Sequence, residues 1–524
     1  MKIVVRADSA IIIGTGHIMR CLVLAQRLRD DGHLVEFACR AQQGDLIDYI
    51  KAKGFVVHQL IMPTTWQRPK HSADYSAWLQ VTEFEDAENF IEKIKESDLV
   101  IIDHYGINKV WQQQVKAQLE CKIVVIDDLL RTHDCDLLLD QTLARVKEDY
   151  LSRVPTASKL LTGCDYALLN PNFAKIRQKN LTEISVTAPT RHRVLVSMGG
   201  IDDSNVSVLI LNELLTFIDS HTAHQKEQNT LSVIESVTVL VSTQSPYFSE
   251  VEIFVNKHKN IFTLLGFVDN MAELMLKHTL AIGAPGTTSW ERACLGLPSI
   301  IVPLAENQKM VCQQLTESGV ALLLNFDNIT TKFQAQFSQL IKEYDSYIQK
   351  SLSLCDGLGL YRAAFAINQL FQTEMSVFSG CRLATEKDIK QVYQWQKEPE
   401  TRRFALNPDV PTFENHSIWM KRKLAAISDY FYIVEAMDNA GHSYAAGVVR
   451  LDKVADESYL ISIFISPAYY GQGLAKKALA YIDYVHSTIT INATVLPDNI
   501  PSQKLFKSAG YHQIKEDSYQ RLAF

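Results

Sequence analysis

From Met1 to about residue 370, short runs of Val, Ile and Leu alternate with stretches in which apolar side chains return every three or four positions. The runs at 2–6, 34–38, 55–60, 99–103 and 122–126 predict strands. The stretches at 16–31, 44–53, 84–96 and 109–119 predict helices. In the first of these, Ile18, Cys21, Leu22, Ala25 and Leu28 mark one apolar face, and Gly32 is a natural stop. Strand and helix in alternation imply a parallel sheet covered on both faces. The pattern then starts again. "HRVLVSMGG" (192–200) reads as a strand ending in glycines, with further strands at 237–241, 261–265, 280–283 and 299–302. The polar stretch 178–189 marks a boundary between the two lobes. From residue 378 the rhythm changes: a helix at 386–395, strands at 430–437 and 445–451, then a long strand at 460–466 that runs into a turn and a helix. The expected architecture is α/β, with lobes at 1–180 and 181–375 and a third, α+β domain at 378–524.

Composition narrows the setting. A chain of 524 residues with 47% hydrophobic content suits about three domains. A formal charge of −7, with 21% charged residues, gives no basic signal for nucleic acid. None of the nine cysteines forms a Cys-x-x-Cys pair, which favours reduced thiols over a disulfide frame or a zinc site. Arg6 and Asp8 interrupt the first apolar run, unlike a signal peptide. No stretch reaches the ~18 apolar residues of a membrane span. A cytoplasmic protein without nucleic-acid or membrane partners is expected.

Chemistry gathers first at "AIIIGTGHIMRC" (10–21). Gly14 and Gly16 permit a tight turn and close backbone approach. With Thr15 they open a helix whose free N–H groups attract anions. His17 stands at that mouth with Arg20 three residues on. Its imidazole suits general-base work near neutral pH; alternatively it caps the helix while Arg20 makes a surface ion pair. Met19 stands where the dinucleotide fingerprint has its third glycine, so that motif is excluded. "IIDHYG" places Asp103, His104 and Tyr105 after a buried strand, and "VVIDD" does the same with Asp127 and Asp128. In a parallel sheet these ends share one edge. Such acids either serve a site or bind nearby backbone amides.

In the second lobe, "GAPGTTSWERACLGLP" (283–298) puts Gly286, Thr287, Thr288 and Ser289 at a helix start, where amides and hydroxyls suit a diphosphate. Glu291 follows Thr288 at capping-box spacing. It either closes its own helix or accepts hydrogen bonds from the vicinal diol of a ribose. Gly199-Gly200 offers a second close backbone approach.

"RAD…GTGHIMRC", "IIDHYG", "IDDL…HDCDLLLDQ", "YALLNPNF", "SMGGIDDSN" and "GAPGTTSWERACLGLP" occur in order. Over roughly 1–370 the chain resembles the UDP-2,4-diacetamido-2,4,6-trideoxy-β-L-altropyranose hydrolases of pseudaminic acid synthesis, a family similar to GT-B glycosyltransferases. The resemblance implies that His17 draws a proton from water, which attacks the anomeric carbon opposite UDP with inversion and without a metal. It implies that Tyr105 lines the sugar site and Glu291 holds ribose. The loop 266–271, with Phe267 and Val268, would read uracil beside Gln308. Asn170 replaces the family's more usual arginine.

The last domain holds "SPAYYGQGLAKKAL" (466–479). Gly471, Gln472, Gly473, Leu474 and Ala475 open a helix whose amides can cradle a pyrophosphate, aided by Lys476 and Lys477; the plain alternative is an ordinary strand–turn–helix joint. With Asn499, Lys504 and Gly510-Tyr511 downstream, the domain resembles GNAT N-acetyltransferases. That implies acetyl-CoA as cosubstrate, bound between two central strands with Phe464 and Ile465 on the pantetheine. Tyr470 replaces the family's first Gln or Arg. Phe506 replaces a tyrosine that often serves as general acid. His416 and Trp419 match the sugar-amine branch, and Trp395 and Arg402 either face the acceptor or pack the core. Together these readings describe a bifunctional enzyme that acetylates the 4-amino group of a UDP-linked amino-sugar and hydrolyses the UDP-diacetamido sugar that results. The alternatives are a UDP-sugar glycosyltransferase with an appended acetyltransferase, or a nucleotide-sugar-binding regulator with an inactive GNAT domain.

Overall fold

The computed structural model describes all residues except 72–73, 182–188, 200–201, 203, 229–232, 306–307, 373–376 and 439–441; for 222–228 it describes the backbone alone. Among the described residues, three sheets organise the chain. The first holds β1 (Lys2–Ala7), β2 (Leu34–Arg40), β3 (Val56–Leu60), β4 (Leu99–Asp103), β5 (Lys122–Ile126), β6 (Leu137–Asp140) and β7 (Lys159–Thr162). All are parallel, in the order β3-β2-β1-β4-β5-β6-β7. Every residue of β4 is buried, as a strand covered by helices on both faces requires. Val4, Val100, Ile102 and Val125 meet Phe90 and Trp111 from the helices Glu83–Lys93 and Lys109–Leu119 in one core.

The second sheet holds β8 (His192–Ser197), β9 (Ile234–Leu240), β10 (Phe262–Leu265), β11 (Leu280–Gly283), β12 (Ser299–Ile301) and β13 (Ala321–Leu323). It too is parallel, in the order β10-β9-β8-β11-β12-β13. The two lobes are Rossmann-like and share one topological feature. The strand order reverses between β1 and β4 in the first, and between β8 and β11 in the second. Loops leaving such a pair diverge to opposite faces and open a crevice at the carboxyl edge.

The third sheet is mixed: β14 (Phe378–Leu383), β15 (Tyr430–Met437), β16 (Ser443–Ala455), β17 (Ser458–Ile465), β18 (Thr490–Thr494), β19 (His512–Lys515) and β20 (Ser518–Arg521), in the order β14-β15-β16-β17-β18-β20-β19. β17 and β18 are parallel while every other pair is antiparallel. Residues Phe365–Phe524, with the short segment that begins at Gln178, form a compact unit of their own.

The sequence reading misses β6, β7, β13, β14, β19 and β20. Five of them have only three or four residues, too few to show a period. The helix expected at 44–53 is shorter, Ile47–Ala52. Gly44 is left-handed (φ 79°), and Asp45 accepts hydrogen bonds from the N–H groups of Gln42 and Ile47, which fixes a turn where the pattern suggests helix. No helix among the described residues is long and apolar enough to cross a membrane.

Candidate active sites

The first crevice lies at the carboxyl ends of β1 and β4, where the loops that leave these neighbouring strands diverge. The chain leaves β1, turns through Gly14 (φ 82°) and Thr15, and enters the helix Gly16–Asp30. His17 is its second residue and Arg20 lies one turn on, so both side chains share a face. That face meets the end of β4. His17 Nδ1 lies 2.6 Å from Asp103 Oδ1. Arg20 donates to both Asp103 oxygens, each at 2.6 Å. Burial opposes charge on Asp103, but Arg20 and then His17 overcome it and hold the carboxyl well below the usual range. An ionised Asp103 accepts the Nδ1 proton and leaves Nε2 of His17 with its lone pair outward. Nε2 makes no hydrogen bond among the described residues, and a tenth of the side chain remains exposed. His17 is therefore held as an oriented imidazole, not as a cap for its own helix.

Aromatic rings wall the same space. Tyr105 meets the edge of His17 at 4.6 Å and stacks on Trp78 at 5.4 Å, while Tyr75 stands edge-on to both. Behind them, Arg131 donates to the carbonyls of Tyr105 and Ile107 and is itself held by Asp127. Asp127 thus supports the loop that carries Tyr105. Asp8 plays a similar part under the loop after β1. It receives both terminal nitrogens of buried Arg6 with Arg40's N–H, and His104 Nε2 lies 3.4 Å away. Asp103 stands out in sequence only as a strand end. Tyr75 and Trp78 carry no glycine, charge or spacing that sets them apart from core aromatics.

In the second lobe, Gly199 is left-handed (φ 89°) at the end of β8, with open space where a side chain would stand. Gly200 lies outside the described residues. After β11, Gly286 precedes the helix Thr287–Cys294. Its loop is clamped by Arg292, which donates to the Ala284 carbonyl and to the hydroxyls of Thr288 and Ser289. Thr288 and Ser289 therefore shape the turn, while the Thr287 hydroxyl makes no hydrogen bond among the described residues. Glu291 does not close a capping box with Thr288: its Oε2 is buried with no partner. Burial, only partly opposed by Arg292, pushes its carboxyl up to about 7. Phe267 is exposed, with Val268 half-buried beside it. Gln308 accepts from the Leu304 N–H, and Asn170 accepts from the Asn172 N–H at the start of the helix Pro171–Asn180.

The carboxyl edges of the two sheets approach each other. Tyr49, on the helix after β2, meets Phe267 beyond β10 at 6.5 Å. Gln244, beyond β9, reaches within 3.6 Å of the position a side chain would take at Gly44.

The third domain has a cleft of its own. β17 pairs with β18 only over Ser458–Ile461, yet it pairs with β16 as far as Ile465. Beyond Ile461 the strands splay, and the open arm of β17 carries Phe464 and Ile465. Gly471 (φ 79°) and Gly473 (φ 71°) are left-handed, and Gly473 caps the helix Leu474–Val485. A cleft of ≈ 1200 Å³ runs along this splay. Phe464, Ile465, Gly471, Gly473, Leu474, Ala475, Lys476 and Asn499 line it. So do Arg402, His416, Trp419, Tyr470 and Phe506. Gln472 and Lys504 are exposed and stand outside its wall, and Trp395 is core, edge-on to Phe464 at 6.4 Å. Asn499 accepts from the Ser502 N–H at a helix start, and Phe506 packs against Tyr511 and Tyr519.

Two family models match parts of the chain. Residues 381–512 match the acetyltransferase (GNAT) domain model, and residues 209–355 match the glycosyltransferase family 28 C-terminal domain model. The first match lies in the third domain and the second in the second lobe. A UDP-2,4-diacetamido-2,4,6-trideoxy-beta-L-altropyranose hydrolase of Campylobacter jejuni is 26% identical over 321 residues, 61% of this chain and 97% of that protein. An uncharacterised protein of Methanocaldococcus jannaschii is 22% identical over 532 residues, 98% of both chains, so it spans all three domains. Acinetobacter baumannii MurG superposes with a TM-score of 0.46 at 14% identity, over 70% of this chain and 99% of that one.

Proposed function

We infer that the two lobes hydrolyse a UDP-linked 2,4-diacetamido-2,4,6-trideoxy sugar and that the GNAT domain acetylates the amino group of its UDP-linked precursor. The working parts are 1–180, 181–375 and 378–524. The observation that carries the reading is the Asp103–His17 pair at the β1/β4 crevice, with Nε2 left without a hydrogen-bond partner among the described residues. In the hydrolysis, His17 Nε2 takes a proton from water as the water oxygen bonds to C1 of the sugar. The C1–O bond to UDP breaks with inversion, and its electron pair leaves on the diphosphate. The first-turn amides of Thr287–Cys294 and the backbone at Gly199 suit that charge. In the acetylation, the amine nitrogen bonds to the thioester carbonyl carbon and gives up a proton to solvent as the C–S bond breaks. Because Phe506 has no proton to give, the CoA thiolate takes one from solvent or another group. The acetylated product of one site is then the substrate of the other.

The match of 209–355 to a glycosyltransferase model favours a second reading, transfer of the sugar to an acceptor other than water. Incubation of the full chain with the UDP-diacetamido sugar alone separates the two. UDP release without an added acceptor supports hydrolysis; release only after an acceptor is supplied overturns it.

Glu291 gives this reading a pH signature. A ribose diol donates two hydrogen bonds, which the ionised carboxylate accepts best. With its carboxyl raised to about 7, Glu291 holds a proton below that pH, and binding must expel it. Affinity for uridine, whose lack of phosphate removes a competing titration, should rise between pH 6 and pH 8. Calorimetry on Glu291→Gln should find binding weaker by about tenfold and flat with pH.

The GNAT turn is tested at Gly473. An alanine Cβ there meets no atom within 4 Å, so its cost is conformational, about 1–2 kcal/mol for a left-handed backbone. Gly473→Ala should lower the thermal midpoint slightly and weaken CoA binding as the turn relaxes, measured by a CoA titration.

A further inference from the structure

β5 ends in two adjacent carboxylates with different surroundings. Asp127 is fully buried and committed: Arg131 Nε donates to it at 2.7 Å, Tyr150 Oη at 3.2 Å, and His133 Nε2 lies 3.4 Å away. Asp128 is less committed: 28% of its side chain is exposed, and the Tyr105 hydroxyl donates a hydrogen bond to it. Arg20 Nη1 lies 3.7 Å from its Oδ2, and its Oδ1 is buried with no hydrogen-bond partner among the described residues. A buried acceptor without a donor costs roughly 1–3 kcal/mol, and folded proteins leave few of them. The neighbours say where this one faces. Arg20 is the same guanidinium that clamps Asp103 behind His17. Burial, followed by the charge of Asp128, pushes up the hydroxyls of both Tyr75 and Tyr105. Asp128 therefore belongs to the wall formed by Tyr75, Trp78 and Tyr105 beside the imidazole.

The geometry points to Asp128 as the acceptor for the N–H of a ring acetamido group whose methyl lies against the Tyr105–Trp78 pair. This rests on the nucleotide-sugar hydrolase reading and deepens it. A carboxylate only accepts, so its partner on the substrate must be a donor. A ring hydroxyl has no methyl to seat against those aromatic rings, so nothing turns its proton toward Asp128. An acetamido group supplies the donor and the apolar methyl together. Asp128 acts here on substrate choice, not on the water or the leaving group.

The test uses the full chain carrying His17→Ala, so that substrate persists, with and without Asp128→Ala. Calorimetry is run with three probes: UDP, the UDP-2,4-diacetamido-2,4,6-trideoxy sugar, and its counterpart with hydroxyls in place of both acetamido groups. Expected is a loss of about 10- to 100-fold for the diacetamido probe, the size of one hydrogen bond to a charged group. The dihydroxy probe should change by no more than about threefold and UDP not at all. Equal losses for both sugars, or no loss for either, with UDP binding retained, overturn the role of Asp128 alone. Failure of the His17→Ala chain to bind any of the three overturns the nucleotide-sugar reading and the role of Asp128 with it.

Discussion

His17→Ala is expected to leave UDP-sugar binding intact while hydrolysis falls about a hundredfold or more, the usual size of a lost general base. The imidazole is tied at Nδ1 to Asp103 and meets Tyr105 and Trp78 in T-shaped contacts, and its Nε2 makes no hydrogen bond among the described residues. The groups suited to UDP lie on the other lobe, at Gly199, Thr287 and Glu291. Removing the ring should therefore leave KM nearly unchanged and lower kcat, the pattern of an interaction made only in the transition state. Steady-state measurement of UDP release, paired with calorimetric binding of the UDP-sugar, reads the two quantities separately. Unchanged turnover removes His17 from the chemistry. A parallel loss of binding makes it a substrate contact instead.

Much of this arrangement was legible in the chain because both lobes follow one rule. A parallel sheet whose order reverses beside its first strand places the loops after that strand and after the fourth at the same crevice. Gly-Thr-Gly-His and Asp-His-Tyr follow those two strands in the first lobe; Met-Gly-Gly and Ala-Pro-Gly-Thr-Thr follow them in the second. What the sequence could not show is how the polar groups divide their work. Asp103 and Asp127 look alike as strand-end acids, yet one faces His17 and the other supports a loop through Arg131. Glu291 sits at capping-box spacing, but its carboxylate stays unpartnered because Arg292, not Glu291, ties the loop together. Tyr75 and Trp78 come from a short helical turn, Tyr75–Leu79, far along the chain from the helix they face; no local period announces such a wall.

Asp103→Asn carries the second large effect, with a different signature. The carboxylate accepts from Nδ1 of His17 and so selects the tautomer whose Nε2 is free to take a proton. An amide in its place can donate to Nδ1 and move the imidazole proton to Nε2, where it blocks the base. It also leaves the Arg20 guanidinium, which now donates to both carboxylate oxygens, without its anion in a buried site. Hydrolysis is expected to fall about a hundredfold or more, comparable to His17→Ala, although the imidazole is still present. Loss of turnover alone does not separate positioning from misfolding, and proton NMR of His17 does. A hydrogen bond of 2.6 Å to an ionised carboxylate should give the Nδ1 proton a low-field resonance in the parent chain. That resonance should vanish in Asp103→Asn while uridine binding on the other lobe persists. Because Arg20 holds the Asp103 carboxyl well below its ordinary range, acidification should not remove the resonance until the carboxylate itself takes up a proton, well below the pH at which an ordinary Asp titrates. The stability that this ion pair contributes is likewise complete above the ordinary Asp range near ~3.9 and lost only as pH falls further. If the resonance survives in Asp103→Asn, or turnover stays within a few-fold of the parent, the carboxylate does not orient the base and the pair is merely structural.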